Sequence, residues 1–184
     1  MKEQEKKLPR LRLPARLRGK WLPLLVVLAA VGLDMLTKRL VVLYLKPIGS
    51  FALLPGVFHL TYATNTGAAW SLFSAPEQRW IFMSVSTVAI LALLAYLLLA
   101  KIPSRCMQLG LGAMVGGGIG NMIDRIALGY VVDFLDACCI RFPIFNAADC
   151  FVCVGAGLLM LALILEWRQE RKGGADGDRD HDQP

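Results

Sequence analysis

Four apolar segments, each long enough to cross a lipid bilayer, set the strongest limit on how this chain can fold. They cover residues 21–45, 80–100, 106–123 and 150–167. A helix needs roughly 17–25 predominantly apolar residues to span the hydrocarbon core. Within lipid, only helices and closed barrels satisfy every backbone polar group. The sequence therefore predicts an all-α membrane protein with four transmembrane helices close to those ranges.

The positive charge of the chain is concentrated at positions that report topology. The net charge is +6, and eight of the 20 Lys and Arg residues lie in the first twenty positions. This is a topology signal and not a nucleic-acid-binding surface, so no nucleic acid partner is expected. Basic residues also flank the turn at 101–105 and follow the last apolar segment. The positive-inside rule then predicts that both termini and this turn are cytoplasmic, and that the loops at 46–79 and 125–148 face outward.

The domain organisation follows from these segments. Residues 21–167 are predicted to form one membrane domain, preceded by a basic cytoplasmic tail, 1–20, that would attract anionic lipid headgroups. Residues 168–184 are expected to form a polar cytoplasmic tail without order, because the end of the chain is Gly-rich and acidic. A cleavable signal peptide is the alternative for the first apolar segment. Apolar sequence resumes at Leu40, however, and removing this segment would leave three spans, which contradicts the basic C-terminal flank.

The two long loops contain short strand signals. Residues 57–64 alternate and are rich in β-branched and aromatic side chains, and they end at a turn sequence beginning at Asn65. The stretch 130–135 has a similar composition, and a further apolar stretch follows at 141–145. Such runs bounded by turn residues are typical of strands. We therefore expect a small β-rich cradle or lid on the outer side of the helices.

Glycines crowd the third apolar segment at helical spacing. The pairs Gly112 and Gly116, and Gly116 and Gly120, are each four residues apart. This spacing allows two helix backbones to approach closely. A phosphate-binding loop would need a strand–loop–helix context and a following Lys, which this sequence lacks. The glycines thus predict helix packing.

Two aspartates at the ends of apolar segments are the main candidates for chemistry. Asp124 follows the third segment and Asp149 precedes the fourth, so the predicted topology brings both to the outer membrane face. An acid at this depth is costly and usually functional. Two neighbouring carboxylates do not both ionise easily and tend to share one proton. That is the electrostatic condition for aspartic-protease chemistry, in which one acid and one base activate water.

The sequence lacks the residues that other common catalytic mechanisms need. His59 and His181 are the only histidines, and neither a His-Glu-x-x-His nor a Gly-x-Ser-x-Gly motif is present. A serine triad or a catalytic zinc site is therefore not expected, and neither a metal nor a cofactor is predicted. The carboxylates remain.

The cysteines provide an alternative function. Cys138, Cys139, Cys150 and Cys153 lie near the predicted outer face, where a thiol–disulfide oxidoreductase would be possible. A Cys-x-x-Cys pair inside an apolar helix is more typical of packing, and no neighbouring His completes a zinc set. A third interpretation is a transporter or small channel that uses its intramembrane acids as an ion path. Because the acids gather at one face only, they do not favour a continuous path.

Further polar residues accompany the two aspartates at helical spacing. Asn121 and Arg125 lie on the helix face of Asp124, and Asn146 precedes Asp149 by three residues. A purely structural alternative is that Asn146 or Asp149 caps the last helix and that Arg125 anchors its helix at the interface.

Two more charged residues interrupt the first apolar segment. Asp34 and Lys38 are four residues apart, so on a helix they can neutralise each other and lower the cost of lying near lipid. We favour a scaffold role for this pair over contact with substrate.

Five sequence blocks, in this order, resemble the lipoprotein signal peptidase family, also called signal peptidase II. The blocks are DMLTK at 34–38, NTGAAWS at 65–71, GGGIGNMIDR at 116–125, VVDF at 131–134 and FNAAD at 145–149. The resemblance as a whole spans about residues 22–167. One departure from the family pattern is Trp70, where Phe is more usual.

This resemblance implies a multi-pass aspartyl endopeptidase of the bacterial plasma membrane, with its active site near the outer face. It would remove the signal peptide of prolipoproteins by cutting before a cysteine that carries diacylglycerol. By motif, the catalytic residues would be Asp124 and Asp149. The residues matched to site-shaping and supporting positions are Asn65, Asn121, Arg125, Asp133 and Asn146, together with the polar pair Asp34 and Lys38. The expected partners are the prolipoprotein substrate and membrane lipids, and the chain is expected to act as a monomer.

Overall fold

Helices account for most of the chain in the computed structural model, which describes residues 19–67, 76–140 and 142–177. The described residues form four α-helices: α1 (Trp21–Leu40), α2 (Pro76–Leu99), α3 (Arg105–Leu128) and α4 (Ala147–Gly177). A π-helical segment, Val41–Leu45, continues α1. The N-terminal tail before residue 19, Trp70 and the last seven residues of the chain lie outside the described residues.

Helix α3 is longer than the sequence predicted. It starts at an N-cap, Ser104, whose hydroxyl accepts a hydrogen bond from the Met107 amide at 3.2 Å. It continues five residues beyond Ile123 and ends where Gly129 adopts a left-handed φ of 79°. Glycine takes this conformation without a Cβ penalty, which makes it the usual residue after a helix end. Asp124 therefore lies inside α3 and not at its end.

Helix α4 also extends beyond its predicted bounds. It begins at Ala147, and it continues ten residues past Trp167 to Gly177. Residues 168–177, expected from the sequence to belong to a tail without order, continue this helix, since extending an existing helix requires no new nucleus and the Arg, Gln, Glu and Lys residues at 168–172 are good helix formers. The guanidinium of Arg171 also lies 4.4 Å from the centre of the Trp167 ring, a stabilising cation–π distance.

A three-stranded antiparallel sheet lies between the helices in sequence. Its strands, in spatial order, are β1 (Ser50–Leu54), β2 (Phe58–Asn65) and β3 (Val131–Asp136). The strands predicted near 57–64 and 130–135 are thus confirmed, whereas β1 was missed. Phe145 adds an isolated bridge to Leu135 of β3. The prediction of an all-α protein with a small β-rich cradle is confirmed in its coarse form, as a mostly helical chain with one small sheet.

Strand β3 is the part of the sheet closest to the helices. Val132 and Phe134 pack against Val41 and Leu45 of the π-helical segment to form one small buried cluster. A second apolar cluster joins all four helices and includes Val27, Leu97, Leu111 and Ala162. The sheet is therefore fixed at the end of α1, close to the C-terminal end of α3.

Helix α3 packs against the other three helices, and its glycines allow close approach. A Cβ on Gly112 would lie 2.7 Å from the Pro23 carbonyl oxygen of α1, and one on Gly116 would lie 2.6 Å from the Ala30 Cβ. On the opposite side, a Cβ on Gly110 would lie 2.7 Å from the Gly155 carbonyl oxygen of α4. Side chains at these positions would separate the helices, so the prediction that the glycines serve packing is confirmed.

The substitution Gly112→Ala is expected to destabilise the fold by about 1–3 kcal/mol, the typical cost of overpacking. The methyl group would meet the backbone of α1, which cannot move aside as a side chain can. Gly157→Ala is the matched control, because a Cβ at that helical position meets no atom within 4 Å. We expect the control to be neutral or slightly stabilising, since Ala favours a helix more than Gly does. Unfolding in detergent measures both; equal losses for both variants would contradict the packing role.

Hydropathy alone singles out one helix as a candidate membrane span. Among the described residues, Ala147–Arg171 is long and apolar enough to cross a membrane, with a mean hydropathy of 2.4, and Met83–Leu99 is a shorter apolar helix. Charged residues interrupt α1, and glycines and polar residues lower the hydropathy of α3. Four transmembrane spans therefore stay a prediction at this point.

Candidate active site

Lys38 is the centre of a buried charged cluster at the end of α1. Its ammonium nitrogen lies 2.8 Å from Asp34 Oδ2 and 3.0 Å from Asp124 Oδ2. It also donates a hydrogen bond of 3.0 Å to Asn121 Oδ1. Asp34 is fully buried, and Lys38 and Asp124 are 3% and 6% exposed. One ammonium group thus neutralises part of the charge of two carboxylates that are shielded from water.

Asp124 is held from a second direction by the sheet. The backbone amide of Val132 in β3 donates a hydrogen bond of 3.1 Å to Asp124 Oδ2. This bond links α3, one turn before its end, to the strand that follows the Gly129 turn. The position of the Asp124 carboxylate therefore depends on α1, α3 and β3 together.

Asp149 belongs to the N-terminal cap of α4. The Asp149 amide donates to Asn146 Oδ1 at 3.0 Å, and the Asn146 amide donates to Asp149 Oδ2 at 3.1 Å. This reciprocal pair has the pattern of a capping box. Asp34 adds a bond across the fold, since its Oδ1 accepts the Ala148 amide at 2.9 Å. The helix-capping role that the sequence suggested for Asn146 and Asp149 is therefore present. It uses only Oδ2 of Asp149, so Oδ1 can bind a different partner.

That partner is Asn121, which links the two candidate acids. Asn121 Nδ2 donates to Asp149 Oδ1 at 2.8 Å, while its Oδ1 accepts from Lys38, the partner of Asp124. Asn146 Nδ2 donates to the same Asn121 oxygen at 3.0 Å. A continuous set of polar contacts therefore runs from Asp124 through Lys38 and Asn121 to Asp149.

Asp133 and Arg125 complete the cluster. Asn146 Nδ2 also donates to Asp133 Oδ1 at 2.7 Å, and the side chain of Asn65 hydrogen-bonds to Asp133. Arg125 donates to the Asn121 carbonyl and to the Gly67 carbonyl, both at 3.2 Å. Its charge also interacts with Asp149, Asp133 and Asp124. Arg125 thus connects α3 to the loop after β2 and faces the acids.

A cavity of about 780 Å³ opens beside this cluster, between α2, α3 and α4. Most of its wall is apolar, including Ile90 and Leu93 of α2 and Phe142 and Phe145 of the loop before α4. Its polar wall residues are Asn65, Ser86, Asn121, Arg125, Asp133 and Asp149, which include five of the nine residues singled out from the sequence. Asp124 does not line the cavity and lies behind this wall, next to Lys38.

The structure thus brings all nine residues singled out from the sequence into one connected cluster. The sequence did not reveal the ion pair between Lys38 and Asp124 or the backbone donors of Val132 and Ala148. A buried ammonium group needs carboxylate or other polar partners, and this requirement is the one feature of the sequence that points to a pairing of Lys38 with Asp124. Two of the cysteines, Cys150 and Cys153, line the cavity, whereas Cys138 and Cys139 are exposed elsewhere.

Burial changes the ionisation of Asp133. Its carboxyl is 3% exposed, and burial together with the charge of Asp149 raises its pKa from 3.8 to about 6. Hydrogen bonds from Asn65 and Asn146 and the charge of Lys38 oppose this rise. Because the folded state holds this proton more tightly than the unfolded state, Asp133 contributes stability that is fully present below about pH 4 and is lost as the pH rises through about 6.

Replacing Asp133 with Asn should remove this pH dependence. At about 1.4 kcal/mol per pKa unit, the loss across this window is about 3 kcal/mol. The measurement is the unfolding free energy in detergent at about pH 4 and about pH 7 for the parent and for Asp133→Asn. Between about pH 4 and about pH 7, we expect the unfolding free energy of the variant, relative to that of the parent, to rise by about 3 kcal/mol. Asp136→Asn, on the same strand, is the control, and an unchanged difference for Asp133→Asn would contradict the raised pKa.

Known structures share this architecture. A bacterial membrane enzyme solved by the in meso method at 2.3 Å resolution superposes with a TM-score of 0.71 at 30% identity, covering 79% of this chain and 88% of that one. A second bacterial membrane enzyme, solved by the same method at 1.9 Å, gives a TM-score of 0.68 at 32% identity over 77% of this chain and 92% of that one. The shared fold, at 30–32% identity, therefore places the chain in the class of bacterial membrane enzymes.

Sequence relatives identify the family within this class. The family model described as signal peptidase (SPase) II matches residues 26–165. Lipoprotein signal peptidases of Trichormus variabilis and Halothermothrix orenii are 48% and 42% identical, covering 72% and 81% of this chain and 83% and 97% of their own lengths. That of Symbiobacterium thermophilum is 41% identical over 84% of this chain and 99% of its own. The chain belongs to the signal peptidase II family, which confirms the resemblance found in its sequence blocks and makes it a peptidase.

Proposed function

We propose that this protein removes the signal peptides of diacylglyceryl-modified prolipoproteins, cutting before the lipidated cysteine, and that it does so as an aspartic endopeptidase. The observation that carries the proposal is the polar connection from Asp149, on the wall of an apolar cavity, through Asn121 and Lys38 to Asp124 behind that wall. Carboxylates that converge with other polar groups at the wall of an apolar cavity are typical of an active site. Family membership supports the prolipoprotein substrate.

The mechanism uses the two carboxyl groups in different protonation states. One aspartate is ionised and polarises a water molecule, while the other is protonated and donates to the scissile carbonyl oxygen. The water oxygen adds to the carbonyl carbon, and the proton roles exchange as the amine of the new N-terminus leaves. The chemistry requires no metal or cofactor.

The neighbouring polar groups have positioning roles in this proposal. Asn121 orients Asp149 through its 2.8 Å hydrogen bond and is itself fixed by Lys38 and Asn146. Arg125 keeps the loop at Gly67 against α3, at the edge of the cavity. Asp34 and Lys38 act as scaffold, since Asp34 also holds the start of α4. Because these groups are fixed before substrate binds, little reorganisation is needed during the reaction.

The apolar cavity supports a substrate that is anchored in lipid. Its walls come from α2, α3 and α4, and it reaches from membrane-type helices to the polar cluster. A signal peptide with its diacylglyceryl chains can therefore reach Asp149, on the wall of the cavity, without leaving the apolar environment. The sheet and the loops beside it form the outer cover that limits water at the reacting bond.

The same proposal includes four transmembrane helices with both termini in the cytoplasm. Large apolar side chains point outward along the helices, for example Leu28 at 69% exposed, Val88 at 66% and Met160 at 63%. Apolar surface of this extent is unfavourable in water and normal in lipid. The polar cluster and the sheet then lie at the outer face of a bacterial plasma membrane, and the enzyme acts there as a monomer among lipids.

Topology reporters test this arrangement. Reporters fused after Lys172 or inserted in the 101–105 turn are expected to be cytoplasmic, whereas insertions near Ser50 or Ala137 are expected to be external. The reason is the distribution of Lys and Arg between the two sides. An external C-terminus would mean an odd number of spans and would contradict a common face for Asp124 and Asp149.

The thiol–disulfide oxidoreductase considered from the sequence is not supported by the family assignment, and neither is the transporter. A variant with all five cysteines replaced by Ser or Ala should still process prolipoprotein, since the two aspartates need no thiol. Loss of processing in that variant, together with thiol-dependent electron transfer by the parent, would favour the redox function.

The substrate assignment is tested with purified enzyme in lipid or detergent and two forms of one prolipoprotein. The form whose cysteine carries diacylglycerol should be cut just before that cysteine. The same chain without the lipid should be cut slowly or not at all, because it lacks the group that occupies the apolar cavity. Equal cleavage of both forms would overturn the lipid requirement, and cleavage at another bond would overturn the assignment.

A further inference from the structure

Three potential metal ligands of different kinds meet on the sheet, outside the candidate active site. They are a nitrogen of His59, a carboxylate oxygen of Asp136 and the sulfur of Cys138, and these atoms all lie within 4.8 Å of one another. His59 and Asp136 are half-buried, and Cys138 is exposed, so an ion has access from solvent. Among the described residues, no other group of three His, Cys, Asp or Glu side chains is this close.

The sheet register brings these ligands together. His59 of β2 is paired directly with Asp136 at the end of β3. Cys138 follows two residues later, in a turn that is held to the start of β2 by a bond from the Cys139 amide to the Val57 carbonyl, at 3.3 Å. The ligand residues therefore come from two strands that are already hydrogen-bonded to each other and from the turn that follows the second strand. Little additional ordering is needed to bind an ion.

One of these ligands is also oriented by a neighbour. The hydroxyl of Thr61 donates to Asp136 Oδ2 at 2.9 Å, which fixes the carboxylate and leaves its other oxygen for an ion. Metal-binding carboxylates are commonly hydrogen-bonded in this way, and such outer partners contribute to affinity.

The donor set selects the metal. Sulfur, imidazole nitrogen and a single carboxylate oxygen are the ligands that Zn²⁺ takes in proteins, whereas Mg²⁺ and Ca²⁺ prefer oxygen alone. Three protein ligands leave a fourth tetrahedral position for water. We propose that His59, Asp136 and Cys138 form a Zn²⁺ site on the outer sheet, one that joins β2 to the end of β3.

This site is separate from the proposed peptidase chemistry. Asp136 is three residues from Asp133, so the two side chains leave β3 on opposite faces. None of the three ligands lines the apolar cavity. Zinc would therefore strengthen the cradle without taking part in hydrolysis, and its removal by a chelator should leave the rate of prolipoprotein processing unchanged.

Cobalt binding tests the site directly, because a thiolate bound to Co²⁺ gives an intense near-ultraviolet charge-transfer band. The protein is prepared without a polyhistidine tag, with Cys106, Cys150 and Cys153 changed to Ser, in detergent and with a phosphine reductant. We expect one Co²⁺ per chain, a thiolate band, and displacement of Co²⁺ by Zn²⁺. Cys138→Ser should abolish the band and His59→Gln or Asp136→Asn should abolish binding, while Thr61→Val should weaken it by about 10–100-fold.

Cys139→Ser is the matched control, since Cys139 is an exposed neighbouring thiol outside the ligand group. It should keep both the band and the affinity. Absence of Co²⁺ binding, a band that survives Cys138→Ser, or a band that is lost in Cys139→Ser would each overturn the proposed ligand set. Processing of prolipoprotein by each ligand variant at the rate of the background protein, which already carries the Cys106, Cys150 and Cys153 changes, shows that the fold is intact, so loss of the band cannot be attributed to unfolding.

Discussion

Replacing either Asp124 or Asp149 with Asn is expected to lower the rate of prolipoprotein cleavage by about a thousandfold or more. General acid–base catalysis by one positioned group contributes about 10²–10⁴-fold, and neither half of the proposed pair works alone. Asn has nearly the size of Asp but cannot exchange a proton. Its side-chain oxygen can still accept the Val132 amide at position 124 or the Asn146 amide at position 149. The fold should therefore persist while the activity is lost.

The measurement is single-turnover cleavage of a lipid-modified prolipoprotein by the parent and both variants. Asp136→Asn is the matched control, because Asp136 lies on the sheet outside the polar cluster, and it should retain the parental rate. Equal membrane insertion of all variants excludes loss of protein. Substantial turnover by both Asn variants would contradict the assignment of the two aspartates.

Replacing Lys38 with Met should have the largest effect on stability. The ammonium group lies within 3.0 Å of carboxylate oxygens from both Asp34 and Asp124, and all three side chains are buried. Removing one partner of a buried pair leaves an uncompensated charge and typically costs about 3–5 kcal/mol. Met has a similar length and is apolar, so the loss would arise from the two remaining carboxylates and not from a cavity.

Equilibrium unfolding in detergent measures this loss, and a combined variant identifies its cause. Asp34→Asn and Asp124→Asn, added to Lys38→Met, remove the unpaired charges, so we expect the triple variant to recover most of the stability. Lys46→Met is the control, because Lys46 is an exposed lysine just beyond the π-helical segment. A loss below about 1 kcal/mol for Lys38→Met would mean that the two carboxylates do not depend on it.

The main elements of the fold could be predicted because local patterns encode them. Apolar length predicted the four helices, and alternation between turn residues predicted β2 and β3. The end of α3 was misplaced because the hydropathy changes at Asp124. The helix itself ends at Gly129, whose backbone adopts the left-handed conformation that closes a helix. The extension of α4 to Gly177 was missed for the same reason, since hydropathy does not report helix propensity in a polar segment. Strand β1 lacks clear alternation and depends on pairing with β2.

The site could be predicted only as a set of residues. Sequence blocks selected its members, but their contacts join segments far apart in the chain. Lys38 and Asp124 are one example, and Asp34 with the Ala148 amide is another. Spacing within one helix identified the pair of Asp34 and Lys38. It could not reveal that the Lys38 ammonium also pairs with Asp124 on α3. The zinc ligands were missed because His59 and Cys138 come from different loops, and only the pairing of β2 with β3 brings them together.

The proposed mechanism requires both aspartates to contact the reacting bond, and a bound inhibitor shows whether they do. The measurement is a crystal structure of the protein with an uncharged peptide that carries a hydroxyl group in place of the scissile amide, a mimic of the tetrahedral intermediate. Our account predicts that this hydroxyl lies within hydrogen-bond distance of carboxylate oxygens of both Asp124 and Asp149, with the apolar part of the peptide in the cavity between α2, α3 and α4. A hydroxyl that contacts Asp149 alone, with Asp124 still behind Lys38 and out of reach, would contradict the proposed dyad.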